Sequence, residues 1–352
     1  MEQSMTAKKW LDRGVYLASV VLSRIINRDK DPKKLSFKKI ICIKEDEIGD
    51  FIYTLPVYET LRNLYPDAEI TVLCRPFGQQ LLKNSLSVNK VISSYRETEK
   101  RYDLVVDLRG TIPSTWLGVR CFPAYRLDRG SIRFRNKKSG THPHESEANR
   151  QIIAPLLEEN KPLPVPKIEI GDEDREAALD FLKDSGVHGP FALFHTGARR
   201  VLKKWPLDRV AEIMRFVYER YGFACVLVGD KADAADALLL QKMTNVPVYV
   251  AAGKLPLLPF AALCETASLY LGNDSGPLHI ACAMGTPSIG LYGPGDPIFH
   301  PRSANARYIH HILECNPCDQ VHCKYPDNPC IQRISISEVQ GVIDALMEEN
   351  KQ

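Results

Sequence analysis

The chain lacks a dominant charge. Lys and Arg exceed Asp and Glu by only +3 over 352 residues, too little to draw a polyanion, and no stretch interleaves basic with aromatic side chains. Nucleic acid is thereby excluded as a partner. A long apolar run is also missing. The first, residues 15–22, falls far short of the ~20 residues that a bilayer-spanning helix needs. It runs into Ser23 and Arg24 with no small-residue cleavage site, which argues against a secretion signal and for a cytoplasmic protein. No repeat of about 20 to 50 residues marks a solenoid. Ten cysteines do not change the compartment, because Cys42, Cys74, Cys225, Cys264 and Cys282 all lie in apolar surroundings where reduced thiols pack as small hydrophobes. His142 and His144, two residues apart, cannot share a helix face and so make no metal pair.

What the sequence does contain is alternation. With 44% hydrophobic and 25% charged residues, the chain has material for two domains. Strands are predicted at residues 40–43, 69–73, 90–92, 104–108 and 121–127, and helices at 51–64, 76–84 and 145–157, with Pro56 kinking the first of these. After the proline-rich segment 159–167 the alternation resumes. Strands fall at 191–194, 223–228, 248–250, 269–271, 288–292 and 308–313, and helices at 173–184, 207–220, 232–243, 257–266, 277–284 and 337–348. This spacing predicts an α/β fold with two Rossmann-like parallel sheets. The expected division is an amphipathic extension at 1–36, a first domain at 37–160, a second at 161–334 with a Cys-rich loop at 315–330, and a C-terminal helix at 335–352 with Ser335 as its cap.

Residues 268–297, SLYLGNDSGPLHIACAMGTPSIGLYGPGDP, concentrate the strongest local signal. A buried strand turns through Gly272-Asn273-Asp274-Ser275-Gly276 into a helix whose first turn holds Pro277, where a missing N–H costs nothing. The free amides and positive dipole end of that helix then face the carboxyl edge of a parallel sheet, which suits a phosphate. The bland alternative is a tightly turned βαβ unit without a ligand. A nucleophilic Ser275 is disfavoured, since the order around it is not G-x-S-x-G.

Four further features carry alternatives. Residues 9–28 form a broad apolar helical stripe among lysines and arginines, which fits either the interface of an anionic membrane or packing on the body of the protein. Asp50, after Gly49, reads on residue type alone as a helix cap. Residues 128–140 read as a loop crowded with Arg129, Arg133, Arg135, Lys137 and Lys138, either solvated or facing an anionic ligand. Cys315, Cys318, Cys323 and Cys330 have the spacing C-x2-C-x4-C-x6-C, open to a structural zinc or to disulfides on oxidation.

In chain order, Lys44, Gly49-Asp50, Thr54-Leu55-Pro56, Lys203-Lys204-Trp205-Pro206, Asp274-Ser275-Gly276-Pro277-Leu278-His279, Gly293-Pro294 and the late cysteines together resemble glycosyltransferase family nine, the heptosyltransferases of lipopolysaccharide core assembly and their relatives. The likeness runs from Lys39 to the C-terminal helix. It implies a GT-B fold, two Rossmann-like domains facing a central cleft, and an inverting transfer that requires no cofactor. The donor would be a nucleotide sugar, ADP-heptose first, and the acceptor a lipid-linked saccharide at the inner face of the cytoplasmic membrane. By the resemblance, Asp50 is the general base, and Lys203, with Lys204 adjacent, contacts the donor diphosphate. Asp274, Ser275 and Gly276 bind diphosphate or sugar with His279 close by, Thr196 lies on the donor side, and Lys44 and Gly49 on the acceptor or diphosphate side. Asp233 fits the ribose-binding acid by spacing, with Asp230 the alternative. Two features depart from the pattern: the acids Glu45, Asp46 and Glu47 beside Asp50, and the extension before Lys39. Rival readings are a nucleotide-sugar epimerase of similar fold and a non-catalytic glycan-assembly protein.

Overall fold

The computed structural model describes residues 2–159 and 161–350, with the helical backbone alone for residues 2–13. The chain divides into two compact units, Met1–Glu169 and Ile170–Gln352. In the first, strands β1 (Lys39–Lys44), β2 (Glu69–Cys74), β3 (Lys90–Ile92), β4 (Leu104–Asp107) and β5 (Tyr125–Asp128) form one sheet in the order β3-β2-β1-β4-β5. Every neighbouring pair is parallel. The sequence of β1, KIICIK, is buried from its second residue onward, as expected of a strand covered on both faces.

The second unit repeats the plan with six strands. They are β6 (Phe191–His195), β7 (Ala224–Leu227), β8 (Val248–Val250), β9 (Leu269–Asn273), β10 (Ser288–Tyr292) and β11 (Ala306–His310), in the order β11-β10-β9-β6-β7-β8. All pairs are again parallel. In each sheet the chain starts at an inner strand, winds outward to one side, and then crosses to the other. The reversal leaves β1 flanked by β2 and β4, and β6 flanked by β7 and β9. A crevice opens outside the carboxyl ends of the strands at such a switch point.

Several boundaries differ from those expected. Residues 128–140 are not a loop: Arg129–Ser139 is a helix, capped by Asp128, whose carboxylate accepts from Ser131 N at 2.7 Å, and ended by Gly140 at φ +68°. Its many basic residues hid an ordinary capped helix. The predicted 51–64 helix is two, Ile48–Ile52 and Leu55–Leu64, because Pro56 occupies the first turn of the second rather than kinking a continuous one. A helix at Ile112–Arg120 was not predicted, and it displaces the 121–127 strand to β5.

The division falls after Glu169 rather than at residue 160. Ile168 is buried, and the Glu169 carboxylate accepts from Leu86 N at 2.6 Å, so the proline-rich segment is tied to the first unit. The C-terminal helix, Ile336–Glu349, is no appendage either: Val339, Ile343 and Leu346 lie in the same core as Trp205, Val210 and Phe194.

The N-terminal helix, Glu2–Ile26, is likewise built into the first unit. Ser19 is fully buried, Ser23 donates to Asp128 Oδ2 at 2.6 Å, and the Arg126 guanidinium donates to Ser23 at 2.8 Å. Asn27 just beyond the helix accepts from Arg126 N and donates to Arg126 O, both at 2.8 Å. β5 is an edge strand, and the Asn27 amide occupies backbone groups that would otherwise invite another strand. The buried Arg126 is meanwhile held by Asp128 at 2.9 Å and Asp107 at 3.4 Å. Removing Asp128 leaves a buried cation half-paired and one helix uncapped. Asp128→Ala should therefore cost about 3–5 kcal/mol in urea unfolding; a loss below about 1 kcal/mol would contradict this account.

Candidate active site

The switch point of the second unit lies between the carboxyl ends of β6 and β9. β9 ends at Asn273, whose side chain donates to Thr196 O at 2.8 Å and accepts from Trp205 N at 3.1 Å. Asn273 thus fastens the loop after β6 and the Lys203-Lys204-Trp205 segment to one strand end. Trp205 is itself fixed in the core, with its indole N–H donating to Ile334 O at 3.1 Å. Lys203, just ahead of it, forms an ion pair with Asp274 at 2.6 Å.

Ser275 precedes the helix Gly276–Ala283 and makes no side-chain cap. Its hydroxyl is instead 3.1 Å from His195 Nδ1 and donates to Asn273 O, so no side chain of the cap residue occupies the first-turn amides. The other ring nitrogen of His195 faces Asp233 Oδ2 at 3.3 Å, and the same oxygen accepts from Asp230 N at 3.0 Å. Burial opposes the Asp233 charge, yet those partners hold its carboxyl below the usual range. A methyl group on Gly197 or on Gly229 would overlap that carboxylate, and Gly229 also has φ +147°. The approach of Asp233 therefore requires glycine at both places.

Two expected donor residues have other surroundings, though the Lys204 charge also helps hold Asp233 down. Lys204 pairs with Asp236 at 3.1 Å rather than with Asp274. His279 is buried within the helix Gly276–Ala283. Asp230 serves the backbone turn: its carboxylate accepts from Ala232 N at 2.7 Å, which leaves Asp233 as the acid facing His195.

In the first unit, β1 ends at Lys44, whose side chain is 1% exposed. It contacts Asp46 at 2.9 Å and Glu145 at 3.7 Å. Asp46 in turn pairs with Arg109, from the loop after β4, and Glu145 with Arg129 at 2.5 Å. Burial, helped by Arg129, pulls Lys44 down to about 7 against the opposing pull of Glu145 and Asp50. Burial also works against Glu145, but Arg129 and Lys44 hold its carboxyl at about 2.

Asp50 is not the cap of its helix. Glu47 precedes Ile48–Ile52, and Asp50 lies in the first turn. Its carboxyl is raised by burial, an effect opposed by Lys44 and reinforced by Glu145. Among the described residues no hydrogen bond or ion pair claims that carboxylate.

Of the three acids beside Asp50, only Glu47 is exposed, on Arg75 at 3.0 Å. Glu45 accepts from Tyr95 and Asp46 serves Lys44 and Arg109. Glu145 was missed by sequence reasoning, and its only signal was a position just after His144, which caps the Glu145–Ile153 helix by accepting from Ser146 N at 3.1 Å. The four late cysteines are free thiols that line one cavity with Leu202 and Pro294. Among the described residues, no three His, Cys, Asp or Glu side chains come together to hold a metal ion.

The coupling of Lys44 to Glu145 has a definite sign. With a folded value near 7 against 10.5, Lys44 loses its proton earlier in the folded state. Its contribution to stability thus improves as pH rises from about 7 to about 10. Glu145, held near 2 against 4.5, contributes fully above about 4.5, and that contribution is lost as pH falls toward 2. Glu145→Gln should move the Lys44 midpoint, followed by NMR of isotope-labelled lysine, further below 7; an unmoved midpoint would refute the coupling.

The profile of glycosyltransferase family 9 (heptosyltransferase) matches residues 96–328, about two thirds of the chain. Lipopolysaccharide heptosyltransferase 3 of Escherichia coli K12 is 28% identical over 293 residues, 71% of this chain and 81% of that protein. A family 9 glycosyl transferase from Veillonella parvula superposes with a TM-score of 0.77 at 22% identity, covering 91% of this chain and all of that one. The ADP-heptose lipopolysaccharide heptosyltransferase II of E. coli gives 0.69 at 24% identity, over 89% of this chain and all of that one. These structures share the two-sheet α/β fold known as GT-B. On the sequence match and the paired sheets alike, the chain belongs to glycosyltransferase family 9.

Proposed function

We propose that this enzyme transfers a heptose from ADP-heptose, with inversion, to a lipid-linked saccharide of the lipopolysaccharide type. The observation that carries the reading is the charge arrangement at the second unit's switch point. Lys203 neutralises Asp274 beside a helix whose first-turn amides carry no side-chain cap from Ser275. A diphosphate there meets no net negative charge and finds N–H donors aimed at it.

Charge builds on the departing diphosphate as the glycosidic bond to the sugar breaks. Lys203, Gly276 and the turn at Asp274-Ser275 stabilise it, which is the work a cofactor would otherwise do. Asp233 takes the ribose, because Oδ2 is engaged by His195 and Asp230 N while the carboxylate still lies over Gly197 beside Thr196. Lys204 supports the Asp233 charge, and His279 lies in the helix that follows the turn.

The acceptor's hydroxyl must lose a proton as its oxygen attacks the opposite face of the anomeric carbon. Asp50 is the base: its carboxylate is unclaimed, partly buried and raised, so it holds a proton more readily than an exposed acid. Gly49 precedes it in the first turn of the helix, and the Lys44 charge opposes the rise that burial imposes on its carboxyl. The lipid-bound acceptor places the enzyme at the inner face of the cytoplasmic membrane.

Asp50→Asn should lower turnover by about 10²–10⁴-fold while ADP-heptose binding stays near wild type by calorimetry. Unimpaired transfer would remove Asp50 from the chemistry. Lys203→Ala should instead weaken both ADP-heptose binding and transfer, by up to about 100-fold in kcat/KM. Donor consumption without any acceptor would point to an epimerase-type reaction and overturn the transferase reading.

A further inference from the structure

The described half of the N-terminal helix turns polar residues inward beside half-buried Val15, Leu22 and Ile26, and leaves one apolar row outside. Ser19, Ser23 and Asn27 face the body of the first unit and are hydrogen-bonded there. Leu17, Val21 and Ile25, at the same four-residue interval, are 52%, 48% and 66% exposed. A surface helix ordinarily buries its apolar row.

The neighbouring helix Ile112–Arg120 repeats the anomaly. Ile112 and Trp116 are 52% and 70% exposed, and Phe122 just beyond is 75% exposed. Phe122 has φ +45°, a left-handed backbone unfavourable for an aromatic residue. The two helices are neighbours in the first unit. Ser19 Oγ is 3.3 Å from Thr115 Oγ1, next to Trp116, and Lys30 Nζ donates to Ala124 O at 2.7 Å, two residues past Phe122. Aliphatic and aromatic side chains of two neighbouring helices thus stand in water.

The charge around them identifies the occupant. Residues 1–39 hold ten Lys and Arg against four Asp and Glu, so this segment is more basic than the whole chain at +3. Exposed Arg24 lies within the apolar row and Arg28, Lys33 and Lys34 follow it, Arg28 and Lys34 beside Asp29 and Asp31, and Arg120 closes the second. We propose that these two apolar rows, with Phe122 and their basic rim, form a docking surface for an anionic phospholipid bilayer. Aromatic rings suit the headgroup boundary, aliphatic ones enter the acyl edge, and the cations meet lipid phosphates. A second copy fits less well, since a two-fold contact would set the basic rim against itself.

This deepens the lipid-acceptor part of the proposed function but is measured without any sugar. The full chain should sediment with vesicles of phosphatidylethanolamine and phosphatidylglycerol, and much less with phosphatidylcholine alone. Trp116→Ser with Phe122→Ser should lower partitioning about tenfold or more, and Arg24→Glu with Arg28→Glu by a similar factor that fades in salt. All four positions are exposed, so thermal melts should match wild type, and transfer to a soluble, delipidated acceptor should be unchanged in every variant. Absence of vesicle binding, equal binding to both vesicle types, or wild-type binding by the variants would overturn the proposal while leaving the transfer reading intact. A dimer that Trp116→Ser with Phe122→Ser dissociates would overturn it in favour of self-association.

Discussion

A charged side chain with 1% exposure cannot stand alone, and Lys44 imposes that condition on the whole first unit. It sits where β1 leaves the sheet, so its partners must come from elements that converge on the same sheet edge. Asp46 arrives from the loop directly after β1, and Glu145 from a helix beyond β5. Each partner is then a buried or half-buried acid that needs a cation of its own, which brings in Arg109 after β4 and Arg129 after β5. The result is an alternating chain of charges across the carboxyl edge of β1, β4 and β5. Its internal balance leaves Asp50 as the acid without a bonded partner.

The second unit meets the same demand with shorter connections. Lys203 answers Asp274, and His195 answers Asp233, all from loops at the carboxyl ends of β6, β7 and β9. Asn273 is the residue that makes this possible, because its amide spans Thr196 O and Trp205 N and so fixes two loops against one strand end. Glycine at 197 and 229 then lets Asp233 come close. The two units differ in what they leave available. In the first it is a carboxylate with a raised affinity for protons; in the second it is helix amides beside a neutralised acid. On the proposed function, base and leaving-group support are thereby divided between units.

The sheets were legible because parallel strands buried on both faces read as short apolar runs, and β8 and β10 fell where expected. Three residues expected on the donor side lie after strands of one sheet, Asp274 directly after β9 and Lys203 and Asp233 in the longer loops after β6 and β7. The misread segments share a different cause. Residues 129–139 are so basic that their helical caps, Asp128 and Gly140, were overlooked, and the helix Ile112–Arg120 buries Leu117 but shows Ile112 and Trp116 to solvent. Glu145 was illegible in principle. Its role depends on a long-range meeting with Lys44 and Arg129, and nothing in its local sequence distinguishes it from an acid in the first turn of any helix.

The N-terminal helix shows how an ambiguous amphipathic pattern is resolved by its polar residues rather than its apolar ones. The alternatives of packing on the protein and lying at a membrane both assumed that the apolar stripe was the side in use. Instead Ser19 and Ser23, with Asn27 just beyond, do the packing, since β5 is an edge strand with unpaired backbone groups and Asp128 and Arg126 are buried charges. An edge of that kind is best covered by hydrogen-bonding side chains, which an apolar row cannot supply. The apolar row is displaced outward as a consequence. A helix that must satisfy a polar edge on one side buries some aliphatic residues only in part, as with Val15, Leu22 and Ile26, and presents others, Leu17, Val21 and Ile25, outward.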